Sequence, residues 1–280
     1  MEIRNLKLKN RIFLAPMAEV NDLPFRLLCK KSGCGLTYTG MANPLSKQEL
    51  QLDDKPALQI FTTNTKGLKE FIKKYEDKVS LFDFNLGCPA KTARKLGFGI
   101  FLHNKLDSIE EILKTMRQST EKPITIKLRK SKNTFKIIKI ANKYVDAIII
   151  HPRTQQQGYS GEPDLDFAKR LKSKTKLPII YSGNVNEKNY KQLLKEFDFV
   201  MIGREAIGNP NIFTKLTKTK QKNFSFKDWL ELEKKYPQPF KQIKSQAMQF
   251  TKNAENAKDL RRKLILAKSV KKIKEVYGFL

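Results

Sequence analysis

The chain is poor in the residues that build covalent or metal-held folds. It has three cysteines in 280 residues, Cys29, Cys34 and Cys88, and no CxxC pair. This argues against a disulfide framework and for a reducing cytoplasm. Only two histidines, His103 and His151, are present, so no His- or Cys-based metal site is expected. No apolar run reaches the roughly 18–20 residues of a membrane-spanning helix. The opening MEIRNLKLKNRIFLAPM intersperses charge among apolar residues and has no signal-peptide core. Acidic residues are scarce as well, 28 against 56 basic ones.

The resulting net charge of +28 favours a polyanionic partner, nucleic acid by default. Of the basic residues 45 are Lys, and an AT-rich genome would raise Lys, Ile and Asn without selection for binding. The distribution is uneven, however: residues 211–280 carry net +12 in a quarter of the length.

Eight short apolar runs recur at residues 11–16, 36–41, 57–62, 81–87, 124–129, 147–153, 178–184 and 199–205. Near-continuous apolarity, rather than alternation, predicts strands buried on both faces of a parallel sheet. Most gaps hold helical patterns, such as LPFRLLCKKSG, DSIEEILKTMRQST and NEKNYKQLLKEF; the gap after the second run is irregular. Eight strands alternating with helices over about 200 residues predict an α/β fold of the (β/α)8 TIM-barrel type. An open doubly wound sheet fits less well, because LAPMAEV lacks a glycine-rich first turn. After residue 217 the polar TKTKQKN reads as a linker. The remainder has only helical patterns, with Ser225 and Pro239 as helix starts. The expected organisation is a barrel, residues 1–217, followed by a small basic all-helical domain, residues 218–280.

In such a barrel, chemistry sits at the C-terminal strand ends. These carry Pro16, Met17, Gln59, Asn85, Cys88, Lys127, His151, Arg153, Gly183, Asn184, Gly203 and Arg204, a set that suits an anionic ligand. SGN and IGRE close the seventh and eighth runs, where glycines and an Arg form the fold's usual phosphate site. Lys127 within a buried strand calls for an anion, either a ligand or Asp83. His151 is either a hydrogen-bonded core histidine or a site residue. Cys88 follows Asn85 and Gly87 in a turn, and packing, nucleophilic and proton-donating roles all remain open for it. A thiol with the usual pKa of about 8.5 is mostly protonated at neutral pH.

Taken together, LAPMAEVNDLPFRLLCKKSG, NLGCPAKTARKLGFG, ITIKLR, IIIHPRTQQQGYSG, IIYSGNV and VMIGREAIGNPNIF resemble the tRNA-dihydrouridine synthases, in order and over nearly the whole chain. The resemblance implies an FMN-binding barrel and a helical domain that grips tRNA. NADPH reduces the flavin, hydride passes from N5 to C6 of a D-loop uridine, and Cys88 protonates C5. It implies flavin contacts at Pro16, Met17, Gln59, Lys127 and His151, with phosphate contacts at Gly183, Asn184, Gly203 and Arg204. Asn85 and Arg153 would contact the base, and Arg261 and Arg262 in the tail would contact tRNA phosphates. No metal is implied; the chain is read as a cytoplasmic monomer. Departures include VND for VTD, SGNV for NGDI, and HPRTQ, which carries Pro152 and Gln155 where Gly or Ala and Arg are usual. A small-molecule reductase on the same barrel would leave the basic tail unexplained. A non-catalytic RNA-binding protein would leave the flavin residues unexplained.

Overall fold

The computed structural model describes residues 1–220 and 223–279. Each of the eight apolar runs contains a strand: β1 (Ile12–Leu14), β2 (Tyr38–Ala42), β3 (Ala57–Ile60), β4 (Leu81–Leu86), β5 (Ile124–Arg129), β6 (Ala147–His151), β7 (Ile179–Ser182) and β8 (Phe199–Ile202). All neighbouring pairs are parallel, in the order β1-β8-β7-β6-β5-β4-β3-β2. A parallel bridge from Phe13 to Leu36, with the Leu14 N–H donating to Leu36 C=O at 2.9 Å, joins β1 to the β2 side and closes the barrel. A short antiparallel pair, Glu2–Ile3 with Leu6–Lys7, precedes it.

The strands read as apolar throughout because they are buried on both faces. Ile126, Leu128, Ile148 and Ile150 face the helices, while Phe13, Tyr38, Ala147, Ile149 and Phe199 fill the interior. The helical ring comprises α1 (Leu23–Lys31), α2 (Leu68–Tyr75), α3 (Lys91–Leu96), α4 (Leu106–Ser119), α5 (Thr134–Ala141), α6 (Leu165–Lys172), α7 (Tyr190–Glu196) and α8 (Ile212–Thr217). No helix lies between β2 and β3, in keeping with the irregular pattern there. Of the stretch 217–223 read as a linker, residues 221 and 222 lie outside the described residues.

Beyond it come α9 (Phe226–Lys235), α10 (Phe240–Phe250), α11 (Ala257–Leu266) and α12 (Val270–Val276). Ser225 and Asp228 form a reciprocal capping box at the start of α9, and Pro239 precedes α10. The last basic stretch is two helices, because Ser269 accepts from the Lys272 N–H and starts α12 afresh. An aromatic cluster holds the tail together: Phe226 stacks with Trp229 at 5.7 Å and lies 4.7 Å from Tyr277. Phe250 meets Phe25 of α1 edge-on at 6.4 Å.

Asp22 fastens this layer to the barrel. Its Oδ1 accepts from the Phe25 N–H at 2.9 Å, capping α1, and from Trp229 Nε1 at 3.0 Å. Its Oδ2 accepts from Gln242 and Gln246 Nε2 at 2.6 and 2.5 Å. Burial nonetheless pushes the carboxyl pKa up. Asp22→Ala strands several buried donors, so it is expected to lower unfolding free energy by about 3–5 kcal/mol. Denaturant unfolding checks this, and the variant should expose Trp229 fluorescence to quenchers.

Candidate active site

Cys88 sits just past β4, in a turn held from several sides. Asn85 Oδ1 accepts from the N–H groups of Gly87 and Cys88 at 3.1 and 3.0 Å. Arg129 Nε donates to the Gly87 carbonyl at 2.9 Å, and the Ile100 N–H donates to the Cys88 carbonyl at 3.3 Å. Gly99 at φ +66° makes this return possible; a Cβ there would lie 2.6 Å from the Cys88 oxygen. Cys88 is half-buried, whereas Cys29 and Cys34 are buried with their pKa values raised by burial, that of Cys34 to about 12. Cys88 is therefore the thiol available for chemistry at the mouth.

Asn85 is turned onto its own chain. Its Nδ2 donates to Gln59 Oε1 at 2.8 Å, and Gln59 Nε2 donates to Asp83 Oδ2 at 2.6 Å. Thr125 Oγ1 donates to Asp83 Oδ1 at 2.6 Å. Every donor in this chain leads to Asp83, which is fully buried and whose pKa burial raises. Gln59 and Asn85, expected at flavin and base, link Asp83 to the Cys88 turn. Strand register brings them together: Gln59 pairs with Asp83, and Asn85 with Lys127.

The Lys127 amine does not pair with Asp83, whose oxygens are taken by Thr125 and Gln59, and makes no ion pair or hydrogen bond among the described residues. Burial and the Arg129 charge push its pKa down, with Asp83 and Cys88 opposing. His151 is held neutral by burial and by Lys127, Arg129, Arg153 and Arg204 around it. Arg153 Nη1 lies 2.9 Å from His151 Nε2. A guanidinium only donates, so Nε2 accepts and Nδ1 carries the proton, free to donate.

Arg153 is 1 % exposed, with its remaining donors on the Ser160 and Gly161 carbonyls and on Asn184 Oδ1. Arg153, expected at the base, thus orients His151 and ties the loop after β6 to Asn184.

At the β7 and β8 ends, Asn184 sits at φ +49°. Its Oδ1 accepts from Arg204 Nη2 at 2.6 Å, and its Nδ2 donates to Glu162. Its side chain joins the two loops, and its own N–H, with those of Gly203 and Arg204, has no acceptor among the described residues. A Cβ on Gly203 would meet only Ala15, at 3.8 Å. Gly183 is more confined, by Pro163 and Tyr181. Pro16 and Met17 are half-buried at the β1 end. Unpaired backbone N–H groups, an Arg and an open glycine fit a phosphate, and the unpaired Lys127 amine with His151 Nδ1 fits the polar edge of an anionic ring system.

Arg261 and Arg262 lie on α11. Arg261 Nε donates to Thr251 Oγ1 at 2.7 Å, and exposed Arg262 pairs with Asp259 at 2.8 Å. The neighbouring Lys252 Nζ donates to the Arg204 carbonyl at 2.8 Å, so this part of the tail abuts the β8 loop. Gly208 at φ +63° lets the backbones meet; a Cβ there would lie 2.0 Å from the Gln249 oxygen.

Two features go beyond what the strand-end positions, Arg129 among them, convey. Arg129 reaches three carbonyls, those of Gly87, Thr154 and Gly158. Tyr159 is 59 % exposed, with its ring 5.2 and 5.8 Å from the Arg129 and Arg204 guanidinium carbons. An isolated aromatic in QQQGYSG gives no signal of this. No group of His, Cys, Asp and Glu able to hold a metal occurs among the described residues, and no helix among them is long and apolar enough to cross a membrane.

A family model described as dihydrouridine synthase matches residues 13–276. The tRNA-dihydrouridine synthase B of Pasteurella multocida (strain Pm70) is 33% identical over 234 residues, 76% of this chain and 70% of the relative. That of Vibrio vulnificus (strain CMCP6) is 32% identical over 237 residues, covering 77% and 74%. Among solved structures, the old yellow enzyme homologue from Zymomonas mobilis superposes with a TM-score of 0.60 at 10% identity, over 87% of this chain and 97% of that one. A 2-naphthoyl-CoA reductase in complex with 2-naphthoyl-CoA gives a TM-score of 0.62 at 13% identity, over 78% and 51%. At such identities these structures support the barrel fold alone.

Proposed function

The chain belongs to the dihydrouridine synthase family, and from that premise we propose that it reduces D-loop uridine of tRNA to 5,6-dihydrouridine. The observation that carries the reading is one half-buried thiol, Cys88, on a turn fixed by Asn85, Arg129 and Gly99 beside the unpaired Lys127. Bound FMN, reduced by NADPH, would supply the hydride that reaches C6 of the uracil.

The protein's own residues do the rest. The N–H groups of Asn184, Gly203 and Arg204, with the Arg204 guanidinium, would hold the flavin phosphate. Gly183 shapes the same loop, and Pro16 and Met17 would lie beside the flavin. Lys127 and His151 Nδ1 would donate to its ring, where a lysine charge would stabilise negative charge. Cys88 gives its Sγ proton to C5 and regains one from solvent between turnovers. Asn85 and Gln59 hold that thiol in place through the chain to Asp83. Residues 1–217 form the catalytic unit and residues 218–280 the tRNA-gripping one, with Arg261 and Arg262 against phosphates. Reaching a base inside folded tRNA requires extruding it, which such a grip offsets. A tRNA substrate places the enzyme, taken as a monomer, in the cytoplasm.

The test is a visible spectrum of the purified protein, followed by NADPH under nitrogen and then by tRNA lacking dihydrouridine. A flavin spectrum that bleaches with NADPH and returns with tRNA is expected. Absence of flavin even after reconstitution with FMN would overturn the reading in favour of non-catalytic RNA binding.

A further inference from the structure

Beside the Cys88 turn lies an open cavity of about 420 Å³, lined by Ile100, Phe101, His103 and Asn104 and by the loops after β5 and β6. One wall is apolar, from Ile100 and Phe101; the rest includes Asn104, Lys132, Gln155 and Gln156. Its base is His103, whose Nε2 donates to the Leu86 carbonyl at 2.7 Å and whose Nδ1 lies 2.7 Å from Ser131 Oγ. Burial lowers the His103 pKa to about 4, so this base is neutral and rigid near neutral pH.

The lining contains no carboxylate. Lys130, also on the rim, is already paired with Asp164 at 2.6 Å. Lys132 makes no ion pair among the described residues, nor do the side chains of Gln155 and Gln156 make hydrogen bonds there. An apolar wall, two uncommitted amides and one uncommitted cation match a nucleotide: ring face, base edge and phosphate. The volume falls in the lower part of the roughly 300–1,000 Å³ range of small-ligand sites.

Position narrows the choice of nucleotide. The cavity shares the Ile100–Cys88 backbone bond with the catalytic turn. The tail abuts the β8 loop through Lys252, and β8 lies four strands from β4 around the barrel. A polyanion gripped at the tail and seated in this cavity would therefore cross the mouth over Cys88. We propose that the cavity binds a nucleotide of the substrate RNA that flanks the reduced uridine, its base against Phe101 and its phosphate on Lys132. The proposal rests on the reading above that the substrate is RNA.

Two measurements on the holoenzyme test it. In Lys132→Glu, the KM for tRNA should rise about tenfold, and the log–log salt dependence of tRNA binding should become shallower by about one. Flavin content and the KM for NADPH should stay unchanged. Photo-crosslinking of tRNA carrying 4-thiouridine next to the target should recover the peptide containing Phe101. An unchanged KM and salt slope, crosslinks confined to the tail, or a raised KM for NADPH with tRNA binding intact would each overturn the assignment; the last would make the cavity part of the dinucleotide site. If wild-type holoenzyme fails to reduce tRNA, the functional reading itself has failed, and that result is separate from any effect of the variant.

Discussion

Replacing Cys88 by Ala should cut dihydrouridine formation by about 10²–10⁴-fold, the range that a positioned general acid contributes, while flavin content and tRNA affinity stay near wild type. The expectation follows from where the thiol sits. Cys88 is half-buried, and the turn that carries it is fastened through backbone atoms, by Asn85, Arg129 and Ile100, rather than through its Sγ. Removing Sγ leaves those fastenings intact and deletes only the proton. The other thiols cannot substitute, since Cys29 and Cys34 are buried and burial raises both pKa values. Single-turnover oxidation of the reduced enzyme by tRNA isolates the step. Wild type should show a solvent deuterium isotope effect that the residual rate of the variant lacks. A variant within about twofold of wild type in that step would show that the C5 proton comes from elsewhere.

The barrel was legible because its strands are buried on both faces, and such burial writes itself as short, nearly continuous apolar runs. The helix α3, Lys91–Leu96, was not, since it buries only Ala93 and leaves no periodic trace. In the site, strand ends were readable as positions but not as partners. Whether Lys127 pairs with Asp83 depends on competition from Thr125 and Gln59, which take both carboxylate oxygens. That outcome is set by register between strands, which no single run contains. Arg153 shows the same limit: its strand-end position was readable, but not its contacts with loop carbonyls seven and eight residues onward. Asp22 caps α1 locally, but its partners in the tail, Trp229, Gln242 and Gln246, are more than 200 residues away.

Because a chain of donors ends on Asp83, a substitution there should affect both the stability of the barrel and the Cys88 turn. Asp83→Leu leaves the Thr125 hydroxyl and one Gln59 N–H without their acceptor at the centre of a buried barrel. At about 1–3 kcal/mol for each stranded donor, a loss of about 2–6 kcal/mol is expected in denaturant unfolding. Asp83→Asn should cost less, because its remaining oxygen can serve Gln59 while the Thr125 hydroxyl rotates to accept. The effect should also travel. Once Gln59 can turn its amide over, Asn85 loses its fixed partner, and with it the Cys88 turn loses the acceptor for two N–H groups. With Cys29 and Cys34 buried, a thiol reagent reports on Cys88 in the native protein, and its rate should rise in the Leu variant. Charge adds a second signature. Asp83 opposes the lowering of the Lys127 pKa by burial and Arg129. Removing the carboxylate should lower that pKa further, so Lys127 loses its proton at lower pH and the alkaline limb of tRNA turnover moves toward neutrality. A Leu variant with unchanged thiol reactivity and an unmoved alkaline limb would reduce Asp83 to a packing element. A rise in reactivity together with the shifted limb would identify it as the residue that sets both the catalytic turn and the lysine charge.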